Sequence, residues 1–298
     1  MKALACELPY KNGIPLSRFS ISDIRREVIA SGIIAQISGT TLWRWLDTDA
    51  IRPWQYRSWI FPRDPAFLEK AGRVLDLYAG FWEGEPLGAR DYVMSADEKT
   101  SIQARIPIHP TLGPLPQKPM KIEHEYIRGG SLAYLAAWDI NRAKIFGRLE
   151  PKNGIKPFSR LVEQVMSQEP YRTASRVFWI VDNGSSHRGQ SSIMRFKKTW
   201  PNAVMIHLPI HASWLNQVEI YFSIVQRKVL APKDFESLDE LKDRILKFQD
   251  RYDEIATPFE WKFKRKDLKN IMRKLSDQSI ILKKVAQPYG TENTSPNL

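Results

Sequence analysis

A single cysteine, Cys6, occurs in 298 residues, which excludes a disulfide framework and any cysteine-built zinc module and fits a reducing compartment. No run approaches the roughly 18 apolar residues of a membrane-spanning helix, and no signal-peptide core follows Lys2. Neither G-x-x-x-x-G-K-[ST] nor G-x-G-x-x-G is present, so the two commonest glycine-rich phosphate cradles are missing. Serines cluster after Asn183-Gly184 but lack the G-x-S-x-G elbow. The five histidines show no metal-binding spacing such as H-E-x-x-H. Negative charge is in the minority: 33 Asp and Glu stand against 45 Lys and Arg, a net charge of +12. That sign raises the local concentration of polyanions, nucleic acid or anionic membrane.

What is present is an ordinary globular composition, 43% hydrophobic and 26% charged, long enough to bury a full core in one large or two modest domains. Residues 20–46 read as two short helices separated by Gly32, the first capped by Ser22 with Ile24, Val28 and Ile29 inward, the second capped by Ser38. In the second, Leu42, Trp45 and Leu46 form the apolar face and leave Thr40, Thr41 and Arg44 to solvent. This is the helix-turn-helix pattern, in which small side chains admit the helix start into the major groove and Arg reaches guanine or phosphate. A plain helical hairpin fits the same residues. An aromatic and basic stretch over 51–66, with Arg52 and Arg57, is suited to a DNA backbone or to packing. A short helix with Phe67, Ala71, Val74, Leu75 and Tyr78 precedes a boundary at Gly80–Gly88.

Beyond it the signals alternate. Short strands are expected at Tyr92–Ala96, Ile102–Ile106, Leu132–Trp138, Lys144–Leu149, Val177–Val181 and Ala203–Leu208. Helices are expected from Phe158 to Met166, around Ser191–Trp200, from Ser213 to about Val229, and after Ser237 with its capping partner Glu240. The order predicts an α/β domain, one mixed sheet covered by helices. From Lys262 to Lys284 there are nine Lys or Arg and two Asp; a solvated basic helix and a nucleic-acid contact both fit. The expected organisation is 1–62 a helix-turn-helix domain, 63–90 a linker with a short helix, 91–260 the α/β domain, and 261–298 a basic helix with a disordered tail.

Two aspartates, Asp97 and Asp182, stand at the ends of apolar strands, where open sheets place their ligands. Glu219 lies beside the apolar stripe of the helix that follows. Carboxylates are hard ligands suited to Mg²⁺ or Mn²⁺, and two such ions support phosphodiester transfer. Individually, Asp182-Asn183-Gly184 is also a good turn and Glu219 a plain surface residue. Strand alternation turns Glu98 to the opposite face, and Glu254 reads as surface.

Ser95-Ala96-Asp97-Glu98-Lys99-Thr100, then Trp179-Ile180-Val181-Asp182-Asn183, then His211-Ala212-Ser213-Trp214-Leu215-Asn216-Gln217-Val218-Glu219 resembles the DDE triad of transposases, in the bacterial insertion-sequence branch of the Tc/mariner superfamily. The resemblance extends to Arg57-Ser58-Trp59-Ile60-Phe61-Pro62-Arg63-Asp64-Pro65 and to the Ser38–Leu46 helix. It implies an RNase H-like (retroviral-integrase-like) catalytic domain with a mixed five-stranded sheet. It also implies a catalytic, metal-binding triad of Asp97, Asp182 and Glu219 holding two Mg²⁺ or Mn²⁺ ions. Asn183, His187, His211 and Asn216 fall within the matched motifs and are expected to support that site or position substrate. Thr40, Thr41, Arg44, Arg52 and Arg57 are expected to contact DNA. The implied activity is binding of the element's terminal inverted repeats, cleavage of both strands and joining of 3′ ends to a TA target by a dimer on double-stranded DNA. The implied setting is the bacterial cytoplasm and nucleoid, away from membranes. Relatives often carry two helix-turn-helix units, and one is found here. A catalytically inactive DNA-binding regulator, or a decayed transposase, is the alternative; the three acids separate the two.

Overall fold

The computed structural model describes residues 1–56, 62–184 and 190–286. The chain divides into two compact units, Met1–Phe61 and Pro62–Leu298.

In the first unit, helices α1 (Ile21–Ala30) and α2 (Gly39–Thr48) enclose a small core of Phe19, Ile24, Val28, Ile37, Leu42 and Leu46. The cap of α1 is Ser20, not Ser22: its hydroxyl accepts from the Asp23 N–H, and the Asp23 carboxylate accepts from the Ser20 N–H. Asp sits three residues after Ser20, so the reciprocal pair forms there. Ser38 caps α2, accepting from the Thr41 N–H at 3.1 Å. Gly32 takes a left-handed backbone, φ +68°, between the helices, a conformation that glycine adopts without steric cost. Trp45 faces outward at 47% exposure, not inward as its spacing suggested; a core this small closes over Leu42 and Leu46 without it.

The second unit begins with α3 (Phe67–Tyr78), whose Phe67, Ala71, Val74, Leu75 and Leu77 are buried in the main core. The expected linker helix is therefore part of the α/β body. Its sheet comprises β1 (Asp91–Pro107), β2 (Tyr126–Asp139), β3 (Lys144–Glu150), β4 (Arg176–Val181) and β5 (Ala203–His207). The order is β3-β2-β1-β4-β5. β1, β2 and β3 form an antiparallel meander, and β4 and β5 run parallel to β1. Tyr92–Ala96 and Ile102–Ile106 belong to one long strand, because β2 pairs along both and absorbs the irregularity as a register shift between Lys99 and Ile102, with Ser101 at φ +56°.

Alternation divides the sheet's side chains between two cores. Met94, Ala96, Val177, Trp179 and Val181 meet α4 (Ile155–Met166) on one face, with Phe196 of α5 (Gln190–Thr199) packed against them. Val93, Trp138, Phe178 and Ile180 meet α3, α6 (Val218–Lys228) and α7 (Leu238–Asp253) on the other. The final helix, α8 (Arg265–Ala286), buries Leu268 in this second core, and its Arg265 forms a bidentate pair with Asp76 of α3. The apolar side of the basic segment thus docks on its own unit, while residues 287–298 lie outside those described. The arrangement is RNase H-like: the first aspartate lies within β1, the second just after β4, and the glutamate on α6.

Candidate active site

β1 and β4 pair in parallel from Asp91↔Arg176 to Ser95↔Ile180, a constant offset of 85 residues. Carrying that register two residues further sets Asp97 opposite Asp182. Both extend the face of Ser95 and Ile180, toward α6. Ligand oxygens of Asp97, Glu98 and Asp182 all lie within 4.8 Å of one another.

Glu98 is the correction. Alternation assigned it to the far face, yet its carboxylate joins the pair. Glu98 stays paired with Leu135 of β2, but on the other edge of the strand the β1–β4 ladder has already ended at Ser95 and Ile180, and the longer side chain reaches the space beside Asp97 and Asp182. The Glu98 N–H also donates to Asp97 Oδ1 at 2.8 Å.

Glu219 comes from the first turn of α6. The expected helix from Ser213 is broken: a 3₁₀ turn over Ser213–Leu215 gives way at Asn216 before α6 starts. The break turns the Asn216 side chain into the protein, where it is 1% exposed. Asn216 Nδ2 donates to Asp97 Oδ2 at 3.2 Å and to the Ala96 carbonyl at 3.0 Å. Ser95 Oγ donates to Asn216 Oδ1 and accepts from the Val218 N–H at 2.8 Å. One hydroxyl thereby links the strand carrying Asp97 to the start of the helix carrying Glu219. Tyr78 holds the same turn, donating to the Leu215 carbonyl at 2.7 Å and accepting from the Gln217 N–H at 3.3 Å.

Electrostatics follow from this crowding. Burial pushes the Asp97 carboxyl up to about 7, the Glu98 N–H opposes the rise, and the negative charges of Asp182, Glu219 and Glu98 add to it. Burial also raises Glu219, with Lys99 pulling it back and Asp182 reinforcing the rise. Asp97 and Glu219 thus sense the same neighbour, Asp182, from different elements. Close like charges with hard oxygen donors fit a divalent cation such as Mg²⁺ or Mn²⁺.

The remaining expected residues separate. Asn183 Nδ2 donates to the Leu208 carbonyl at 2.6 Å, bracing the end of β4 against the end of β5. The Gly184 N–H donates to Asp182 Oδ1 at 2.8 Å, so the turn reading of Asp182-Asn183-Gly184 and its place in the acidic group hold together. His211 is exposed on the loop after β5, with φ +60°, and makes no hydrogen bond to the carboxylates among the described residues. His187 and Arg57 lie outside the described residues. In the first unit Thr40 and Arg44 are exposed, Thr41 Oγ1 is 2.8 Å from Ser38 Oγ within the cap, and Arg52 pairs with Asp47 at 3.2 Å. Ser95 and Tyr78 were missed. Ser95 was accessible in principle, two residues before Asp97 on the same strand face; Tyr78, 137 residues from its acceptor, left no signal.

The family model of the DDE superfamily endonucleases matches residues 93–242, half of the chain and every carboxylate of the site. The chain belongs to the DDE superfamily of endonucleases. A comparison of this DDE endonuclease with curated proteins returns no match. Among solved structures it is similar to the Mos1 mariner paired end complex with Mn, at 14% identity and TM-score 0.48 over 89% of this chain and 78% of that one. A pre-cleavage Mos1 transpososome gives 13% and 0.48 over 93% and 81%, and the Mos1 strand transfer complex 12% and 0.48 over 94% and 85%.

Proposed function

We propose that this DDE endonuclease is a DNA transposase of the bacterial insertion-sequence branch of Tc/mariner, binding its element's terminal inverted repeats, cutting the strands and joining 3′ ends to target DNA. The observation that carries the reading is the register match of Asp97 and Asp182, with Glu219 delivered to the same charge cluster by α6. Asp97, Asp182 and Glu219 would hold the metal, with Glu98 close enough to share the load. When bound, two divalent ions supply activation of the attacking oxygen and charge stabilisation of the leaving oxygen. Asn216 and the Glu98 N–H each fix one Asp97 oxygen, so the carboxylate meets its cation with its rotamer already set. Ser95 keeps that carboxylate in step with the start of α6.

Recognition is assigned to the Met1–Phe61 unit, with Thr40 and Arg44 on the exposed side of α2, Thr41 at its capped start, and Arg52 and Arg57 beyond it. Pairing of two element ends calls for two such units and two catalytic centres, hence a dimer on DNA. The setting would be the bacterial cytoplasm and nucleoid; no described helix is long and apolar enough to cross a membrane. The deciding experiment incubates the protein with plasmid carrying the element's ends and Mg²⁺ or Mn²⁺. Cleavage that needs the metal and all three of Asp97, Asp182 and Glu219 supports the reading. Binding without cleavage under any divalent ion replaces it with a DNA-binding regulator.

A further inference from the structure

The exposed side of α6 continues away from Glu219 as a cationic surface. One recess of about 210 Å³ is lined by Lys99, Glu219, Ser223, Gln226 and Arg227. A second, of about 440 Å³, shares Gln226 and adds Arg105 and Lys233. Gln226 thus stands between the two, with Lys99 and Arg105 contributed by β1 and the other cations by α6 and the turn after it. None of these four cations makes an ion pair with a carboxylate in the described residues, whereas Arg148, Arg160, Arg172, Arg176 and Arg244 are all paired. The Arg105 guanidinium lies 4.6 Å over the Tyr126 ring, and its buried Nε has no hydrogen-bond partner. The local acid Glu123 is engaged by His109, through its ring and its backbone N–H.

We propose that this surface is a track for the phosphate backbone of the DNA strand held at the acidic site, with Lys99, Arg227, Arg105 and Lys233 as its contacts. It rests on the transposase reading and adds a location: which part of the catalytic unit grips the strand beyond the cut. From Glu219 to Arg227 the helix rises about 12 Å, the axial span of three or four nucleotides at about 3.4 Å each. Residues 219, 223 and 226–227 share one helical side. Ser223, exposed between the charges, supplies a hydroxyl donor of the kind that accompanies basic contacts to phosphate. Such contacts set strand position without reading sequence.

The test uses the full chain and a fluorescein-labelled 40-base-pair duplex of arbitrary sequence, with affinity measured by anisotropy from 50 to 200 mM KCl. Each phosphate contact contributes about 0.9 to the slope of log affinity against log salt. Arg227→Ala and Lys233→Ala should each flatten the slope by about that amount, and the double variant by about 1.8. Arg227→Lys should retain the wild-type slope, and Arg172→Ala, already paired with Glu169, should leave it unaltered. A wild-type slope in the double variant overturns the track and leaves the transposase reading standing. A wild-type protein that does not bind the duplex overturns both.

Discussion

Asp97 and Asp182 lie at one level of two neighbouring parallel strands, because β1 and β4 keep a constant offset of 85 residues up to the point where the acids begin. The acidic pair is therefore a product of strand register. A slip by one residue would turn one of the acids to the opposite face.

Replacing Asp97 should separate activity from stability. Its folded-state value of about 7 exceeds the ordinary 3.8, so between those pH values the folded protein keeps a proton that the unfolded chain has released. Stability then falls as pH rises from about 4 to about 7 and stays reduced above. Asp97→Asn should abolish cleavage yet melt several degrees above wild type at pH 8 without divalent metal, with the gap closing toward pH 4. Equal melting temperatures at pH 8 would mean that the acidic cluster is not strained.

Divalent metal should act on the same repulsion. Mn²⁺ should raise the melting temperature of wild type, since a ligand bound only to the folded state stabilises it by mass action. EDTA should reverse the gain and stop cleavage. In Asp182→Asn the thermal shift should shrink markedly, and calorimetry run with and without Mn²⁺ reads both effects.

Asn216→Ala leaves Ser95 and one Asp97 oxygen without their buried partner, a loss of about 1–3 kcal/mol. The cleavage rate should fall further than stability does, because Asp97 loses its set orientation. Single-turnover rates measured at saturating metal, well below the melting temperature, distinguish the two. A variant with a full rate would reduce Asn216 to a structural role.

Acid should act through Asp91. Hydrogen bonds from the Arg176 guanidinium hold its carboxyl below the usual range. A lowered folded-state value means stability that is complete above the unfolded value of 3.8 and is lost as pH falls through the folded one. Arg176→Ala leaves a carboxylate whose side chain is 3% exposed with the Gly88 N–H but without its guanidinium, at a cost of about 1–3 kcal/mol near neutrality. Urea unfolding at pH 7 and pH 3 should show the difference between variant and wild type narrowing in acid.

Within the Met1–Phe61 unit, Arg44→Ala should relax sequence preference among candidate element ends. Arg52→Ala should weaken all sequences alike, and by less, because Arg52 already shares Asp47. Competition binding with scrambled ends tests both; unchanged binding after Arg44→Ala would leave α2 as a structural hairpin.

The sequence by itself determined the alternation of strands and helices, the buried run Val177–Val181, the Ser38 and Ser237 caps, and the positions of the three acids in their motifs. These are local signals: periodicity of two or 3.6, capping hydroxyls, and carboxylates at the ends of apolar runs. The tertiary structure alone decided what depended on partners distant in the chain. β2 made one strand of two expected ones, Glu98 joined Asp97 and Asp182 beyond the last β1–β4 pair, and the break at Asn216 turned its amide onto Asp97. Likewise, Phe67–Tyr78 became core because the β-sheet face and α8 close over it. Each of these depends on contacts between residues about 20 to nearly 200 positions apart, and no local pattern specifies which distant surface a segment will meet.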